Sequence, residues 1–164
     1  MKEIKLSNGA IAIVDDEDYE SLSLHKWHPS KDRDLCYAIR ASFSGGKRKT
    51  ERMHRVIMGA TDNETHVDHK NQNGLDNRKE NLRLCTISQN RSNSRPNKNS
   101  SSQYKGVTKD HPNKWLAQIT VNYKNHNLGR FKIEKDAALA YDKAAYKYFK
   151  EFAYLNFPDE LKKE

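Results

Sequence analysis

Residues 66–93, HVDHKNQNGLDNRKENLRLCTISQNRSN, concentrate the side chains able to do chemistry. Asp68 and His69 are adjacent, and Asn81 and Asn90 follow at wide spacing. A neutral imidazole, with an ordinary pKa of about 6.5, takes a proton from water near neutral pH. The carboxylate of Asp68 and the amide oxygen of Asn90 are hard oxygen donors, which suit Mg²⁺ better than Zn²⁺. These are the parts of a metal-assisted hydrolysis. A lone histidine or asparagine in a loop is more often a turn former or a satisfied hydrogen-bonding residue, so only the group as a whole carries weight.

The elements that must position this group are legible in outline. Asp68-His69 closes a short apolar strand, and NQNGLDNRKEN is rich in Asn, Asp and Gly and so commits to tight loops. LRLCT reads as a second strand and ISQNRSN as a short helix. A strand–loop–strand–helix unit brings Asp68, His69 and Asn90 towards one point. Upstream, IKL and AIAIV flank Ser7-Asn8-Gly9, a hairpin signal. DDEDYESLSLHKW has acidic residues at its start and an apolar face at helical spacing, which predicts a short helix. LCYAIRASF and KTERMHRVIM flank Ser44-Gly45-Gly46-Lys47 and predict a second hairpin. His54, in the second of these strands, fits strand packing at least as well as catalysis, and His66 reads as a surface residue.

Arg91–Gln103, RSNSRPNKNSSSQ, has no large apolar side chain and reads as a linker, with 94–103 as the segment between domains. Beyond it YKGVTK, KWLAQITVNY and NLGRFK predict three short strands. Along Lys114–Tyr123, Trp115, Ala117, Ile119 and Val121 fall on one face and Leu116, Gln118, Thr120 and Asn122 on the other. Apolar residues from Ile133 to Phe152 then recur at helical spacing. One helix across the Trp115 face leaves the polar face open as a binding surface. The fold class is therefore α+β.

Charge localises the partner. Of a net charge of +8, residues 1–65 contribute nothing (11 Lys/Arg against 11 Asp/Glu), nor do 131–164 (7 against 7). Residues 66–130 carry 12 Lys/Arg against 4 acids, so the whole excess lies there. A basic middle points to a polyanion, and nucleic acid is the default. No run of about 18 apolar residues exists to span a membrane, and the first residues lack the apolar stretch of a signal peptide, so a cytoplasmic protein is expected. Cys36 and Cys85 stand alone, which supports neither a disulfide scaffold nor a structural zinc site. Both read as small core residues. No obligatory protein partner is evident.

The pattern D-H-x11-N-x8-N, with D-N-R-x-x-N-L-R inside it, resembles the HNH nucleases, in particular the phage and intron homing-endonuclease branch. That resemblance implies a ββα-metal domain over 1–93, with its motif at 66–93. It implies His69 as general base, Asp68 as first metal ligand and Asn81 as the residue that braces the loop and orients the histidine. Asn90 takes the last position, as a second ligand to one Mg²⁺ or Mn²⁺. Arg78, Lys79 and Arg83 are expected to contact phosphate.

YKGV, KWLAQI, NLGRF, EKDAALAYDKAA and LNFP resemble the plant ethylene-response-factor (Apetala-two type) DNA-binding domain over 104–157, followed by a tail at 158–164. That resemblance lays the sheet in the major groove of double-stranded DNA, with Lys105, Thr108, Lys114, Gln118, Thr120, Asn127 and Arg130 facing it. Together the two imply a homing-type DNA endonuclease of a bacterium or phage-infected cell. A DNA-binding regulator with a decayed nuclease is the alternative, and it loses ground because all four motif positions are filled.

Overall fold

A computed structural model describes residues 1–32 and 35–161; the last residues of the expected tail, 162–164, lie outside the described residues. The chain divides into two units, Met1–Thr86 and Ile87–Glu164.

The first unit opens with β1 (Lys2–Lys5) and β2 (Ile11–Val14), an antiparallel pair joined through Gly9 at φ +87°. A left-handed turn position of this kind is what glycine tolerates and other residues resist. α1 (Asp16–Ser23) follows, with Asp16, Glu17 and Asp18 in its first turn, where the helix dipole favours negative charge. β3 (His28–Asp32), β4 (Leu35–Ser44) and β5 (Lys47–Arg52) form an antiparallel sheet with β4 in the centre. The core of the unit is Ile4, Leu6, Ala12, Val14, Leu22, Trp27, Ala38 and Met53.

The second expected hairpin is right as far as Arg52 and wrong beyond it. MHRVIM, read as strand, is instead α2 (Met53–Ile57). A short apolar run fits either element, and burial of Met53 and His54 on one side decides for the helix. β6 (His66–His69) pairs antiparallel with β7 (Leu82–Cys85), with Asp68 opposite Arg83 and His69 opposite Leu82.

The second unit begins with α3 (Ile87–Ser92). β8 (Val107–His111), β9 (Lys114–Val121) and β10 (Lys124–Phe131) form an antiparallel sheet in the order β10-β9-β8, and α4 (Glu134–Phe149) packs across it. Val107, Ala117, Ile119, Ala137, Ala138, Tyr141 and Ala145 are buried between them. Gly106 sits at φ +75°, and a Cβ there would lie 1.9 Å from the Tyr141 ring. Only glycine fits that close approach. Fully buried Asp142 accepts hydrogen bonds from the backbone N–H groups of Asn156 (2.9 Å) and Phe157 (2.7 Å), pinning the segment that leads to α5 (Pro158–Leu161).

The serine- and asparagine-rich stretch is not a bare linker. Ser92 Oγ donates to the carbonyl of Phe152 (2.6 Å), and Ser102, 5% exposed, donates to Glu134 (2.6 Å). Hydrogen bonds hold here what apolar contacts hold elsewhere, which composition alone does not reveal.

Candidate active site

His69 ends β6 and is buried, at 5% exposure. Its ring lies 4.8 Å, edge to face, from His54 on α2 and 5.8 Å from Tyr37 on β4. Tyr37 and His54 are themselves 5.4 Å apart, so three rings from three elements meet. Burial pushes the His69 imidazole below its usual pKa, against a smaller opposing effect of its hydrogen bond with Asn77. The ring is therefore neutral near pH 7. Burial drives His54 further, down to about 2, with His69 as a secondary cause.

The bond between His69 Nε2 and Asn77 Oδ1 is 3.3 Å. An amide oxygen only accepts, so Nε2 carries the proton and Nδ1 the lone pair. Asn77 is held in turn by backbone. Its N–H donates to the carbonyl of Ile13 (2.8 Å), and Ile13 N–H donates to Leu75 (2.8 Å), so the loop is laced to the edge of β2.

Asn81 braces the same loop from the other end. Its Nδ2 donates to Asn71 Oδ1 (3.0 Å) and to the Asp76 carbonyl (2.8 Å), while its Oδ1 accepts from the Asn71 N–H (3.0 Å). The His69 ring donates its hydrogen bond to Oδ1 of Asn77, which the motif contains but which carried no assignment from sequence. Tyr37 is far upstream, and no local signal joins it to the motif.

The three cations expected on phosphate are engaged with carboxylates of the protein. Arg83 forks onto Asp68 Oδ2 (Nη2 at 2.6 Å, Nε at 2.9 Å). Arg78 forks onto Asp76 (2.8 Å for both bonds) and also bonds Glu80, and this holds Asp76 well below the usual carboxylate range. Lys79 bonds Glu17 (2.5 Å) and lies 3.4 Å from Asp18. Bidentate geometry suits a guanidinium to a carboxylate as well as to a phosphate, and charge count does not tell them apart.

Asn90 lies on α3, in the second unit. For a divalent ion, the donors Asp68 and Asn90 offer oxygen of the right kind. Among the described residues no three His, Cys, Asp or Glu side chains gather as a metal cluster. An ion with few protein ligands must complete its shell with water and phosphate oxygen, as Mg²⁺ readily does. Each of these two oxygens, one in each unit, is of the kind Mg²⁺ takes.

On the sheet of the second unit, register puts Thr108, Lys114, Gln118, Thr120, Asn127 and Arg130 on one face. Gln118 pairs with Asn127 and accepts a 3.0 Å bond from Asn125 Nδ2, and Arg130 is ion-paired with Asp110. Lys105 does not join them. It precedes β8, and its Nζ donates to the carbonyls of Arg91 (3.1 Å), Ser92 (2.5 Å) and Ser94 (2.7 Å), at the end of α3. The unpaired carbonyls of a helix C-terminus attract a cation, as a phosphate also does. Cys36 and Cys85 are free and partly buried, and burial pushes the Cys85 thiol up to about 11.

Comparison with known proteins agrees with this geometry. A family model described as HNH endonuclease matches residues 52–92. An uncharacterized HNH endonuclease of Acanthamoeba polyphaga mimivirus is 33% identical over 147 residues, covering 88% of this chain and 74% of that protein. Dehydration-responsive element-binding protein 2D of Arabidopsis thaliana is 41% identical over 66 residues, covering 39% of this chain and 32% of that protein.

Proposed function

The chain belongs to the HNH endonuclease family, and on that premise we propose that it is a homing-type DNA endonuclease with His69 as general base and one divalent ion held by Asp68 and Asn90. The observation that carries this reading is the placement of His69: buried, hydrogen-bonded through Nε2 to Asn77 Oδ1, with burial lowering its pKa. Nδ1 then takes the proton of the attacking water, and the imidazolium formed is stabilised by the same Asn77 oxygen. Asn81 keeps the loop that presents Asn77 from shifting. When bound, Mg²⁺ or Mn²⁺ supplies a Lewis acid for the phosphate and the leaving oxygen.

The second unit supplies the guidance. Its open face offers amide, hydroxyl and cationic groups from Thr108, Lys114, Gln118, Thr120, Asn127 and Arg130, the chemistry that reads base edges and phosphates in a major groove. The likeness to a plant protein named as element-binding supports the same reading. No helix among the described residues is long and apolar enough to cross a membrane. We place the protein in the cytoplasm of a bacterial or phage-infected cell, acting on double-stranded DNA.

Incubation with random-sequence plasmid, with and without Mg²⁺, tests the reading. Cleavage should require the ion, and His69→Ala should lower it by roughly 10²–10⁴-fold while duplex binding hardly changes. Full activity in EDTA, or equal loss of binding and cleavage in the variant, overturns the roles given to the ion and to His69. Binding without cleavage by the unaltered protein would favour a DNA-binding regulator with an inactive nuclease.

A further inference from the structure

The β4–β5 hairpin carries Lys47, Arg48 and Lys49 on its outer strand, all exposed, with no acidic residue between Leu35 and Thr50 on the described hairpin. Phe43, opposite Arg48 in the register, is 75% exposed. A single exposed aromatic residue is ordinary on a soluble protein. Here Arg48 stands across from it on the same face, Lys47 and Lys49 flank Arg48 along the strand, and the face leads somewhere.

The register fixes that face. Phe43 pairs with Arg48, Ala41 with Thr50 and Ile39 with Arg52, and Tyr37 lies on the same side by alternation. Ala41, Phe43, Arg48, Thr50 and Arg52 are exposed along it. At its inner end Arg52 stands 5.1 Å over the Tyr37 ring and 3.6 Å from Asp32, and Tyr37 meets His69. The inner part of the opposite face is occupied: Ala38 is in the core, and Arg40 lies over Trp27 and bonds Glu51 (2.9 Å). One open, basic strip therefore runs from the candidate general base to the hairpin tip. From Tyr37 to Phe43 is six residues of β-strand, about 20 Å, or about six base pairs of duplex.

We propose that this strip is a second DNA-contact surface, which grips the duplex on one side of the cleaved phosphate, with Arg48 on the backbone and Phe43 wedged at a base step about six base pairs away. A two-stranded ribbon is narrow enough to enter a groove, and apolar side chains at such tips part adjacent bases. The proposal rests on the endonuclease reading, because it is His69 that sets the origin of the strip.

The test uses the full chain and duplexes trimmed stepwise on either side of the cut. Wild-type kcat/KM should fall once one flank is shorter than about six base pairs. Phe43→Ala should lose roughly 5- to 100-fold on the long substrate, the scale of one aromatic–base contact, and should cleave long and short flanks alike. Arg48→Ala should make the slope of log affinity against log salt shallower by about one. 2-Aminopurine at the predicted step should brighten on binding wild type and Phe43→Leu, but not Phe43→Ala. Both positions are exposed, so folding is not at stake. Variants that track wild type at every flank length and salt concentration overturn the proposal, as does an Arg48-dependent preference for RNA. If wild type binds but does not cut, the endonuclease reading fails, and the salt slope and fluorescence still decide the hairpin.

Discussion

Asn77 Oδ1 stands 3.3 Å from His69 Nε2, and both residues are buried: Asn77 is 0% and His69 5% exposed. The Nδ2 of Asn77 is buried without a hydrogen-bond partner among the described residues, as is Nδ1 of His54, whose ring meets that of His69. Buried orphans carry a cost, and they persist in native proteins chiefly where function requires them. A loop laced to β2 thus holds one amide oxygen against one imidazole.

This pair makes a pH prediction. The hydrogen bond stabilises the protonated ring and raises its pKa, against the larger effect of burial. Asn77→Ala removes that support, so His69 stays neutral to lower pH and the acid limb of kcat moves down. Asn77→Asp places a carboxylate on Nε2 and moves the limb up. Both should lower kcat, by roughly 10- to 100-fold for the alanine variant, the scale of an orienting partner. A kcat loss with an unmoved acid limb would show that Asn77 only fills space.

Acid stability follows from His54. Its pKa is lowered from about 6.5 to about 2 by burial, so the folded form resists protonation that the unfolded chain accepts. The stability this group contributes is therefore complete above about pH 6.5 and erodes as the pH falls from there towards 2, by up to about 1.4 kcal/mol per pH unit. His54→Phe keeps a ring against Tyr37 and His69 and removes the titration. Denaturant unfolding of the variant should depend less steeply on pH between 6 and 4 than that of the wild type; equal slopes would exclude His54 as the source.

Gly74 tests how closely the loop fits β4. A Cβ there would lie 2.5 Å from the Cys36 carbonyl oxygen and 2.7 Å from the Tyr37 ring. The carbonyl belongs to a central strand and cannot yield, so Gly74→Ala should cost about 1–3 kcal/mol in urea unfolding. It also presses on Tyr37, which touches His69, so kcat should fall with KM little changed. A variant of wild-type stability would mean that the loop has room to move.

What was readable in the sequence was local. Strict alternation from Trp115 to Val121 located a sheet face, and the turn at Ser7-Asn8-Gly9 located a hairpin. Asp68 and His69 were placed at a strand end by the polar loop that follows them. Met53–Ile57 could not be typed because five residues show no period. Partners distant in sequence were not readable either: Tyr37 on His69 and Lys105 on Ser92 depend on which elements the fold lays together. Charge alone left Arg78, Lys79 and Arg83 on phosphate, because cations look alike until a nearby carboxylate is known.

Lys105 gives the sharpest discrimination between a DNA contact and a structural one. Its ammonium serves three carbonyls at the end of α3, its backbone N–H donates to Asn156 Oδ1 (2.8 Å), and Asn156 Nδ2 donates to Asp142 (2.9 Å). α3 carries Asn90, the ligand proposed above, and lies within the second unit. Lys105→Met keeps the aliphatic stem and removes the charge. It should cost about 1–3 kcal/mol, the scale of hydrogen bonds made by a charged group. Cleavage should fall, Lys105→Arg should recover part of it, and the salt slope of duplex binding should not change. A phosphate contact predicts the reverse: stability unaltered and the slope shallower by about one unit. The same bonds bear on truncation. A fragment ending at residue 96 keeps Asn90 but loses Lys105, Phe152 and Tyr154, whose groups bond Arg91 to Ser94. It should therefore lose cleavage along with affinity, and a fragment that cuts at the wild-type rate would show that α3 needs none of these ties.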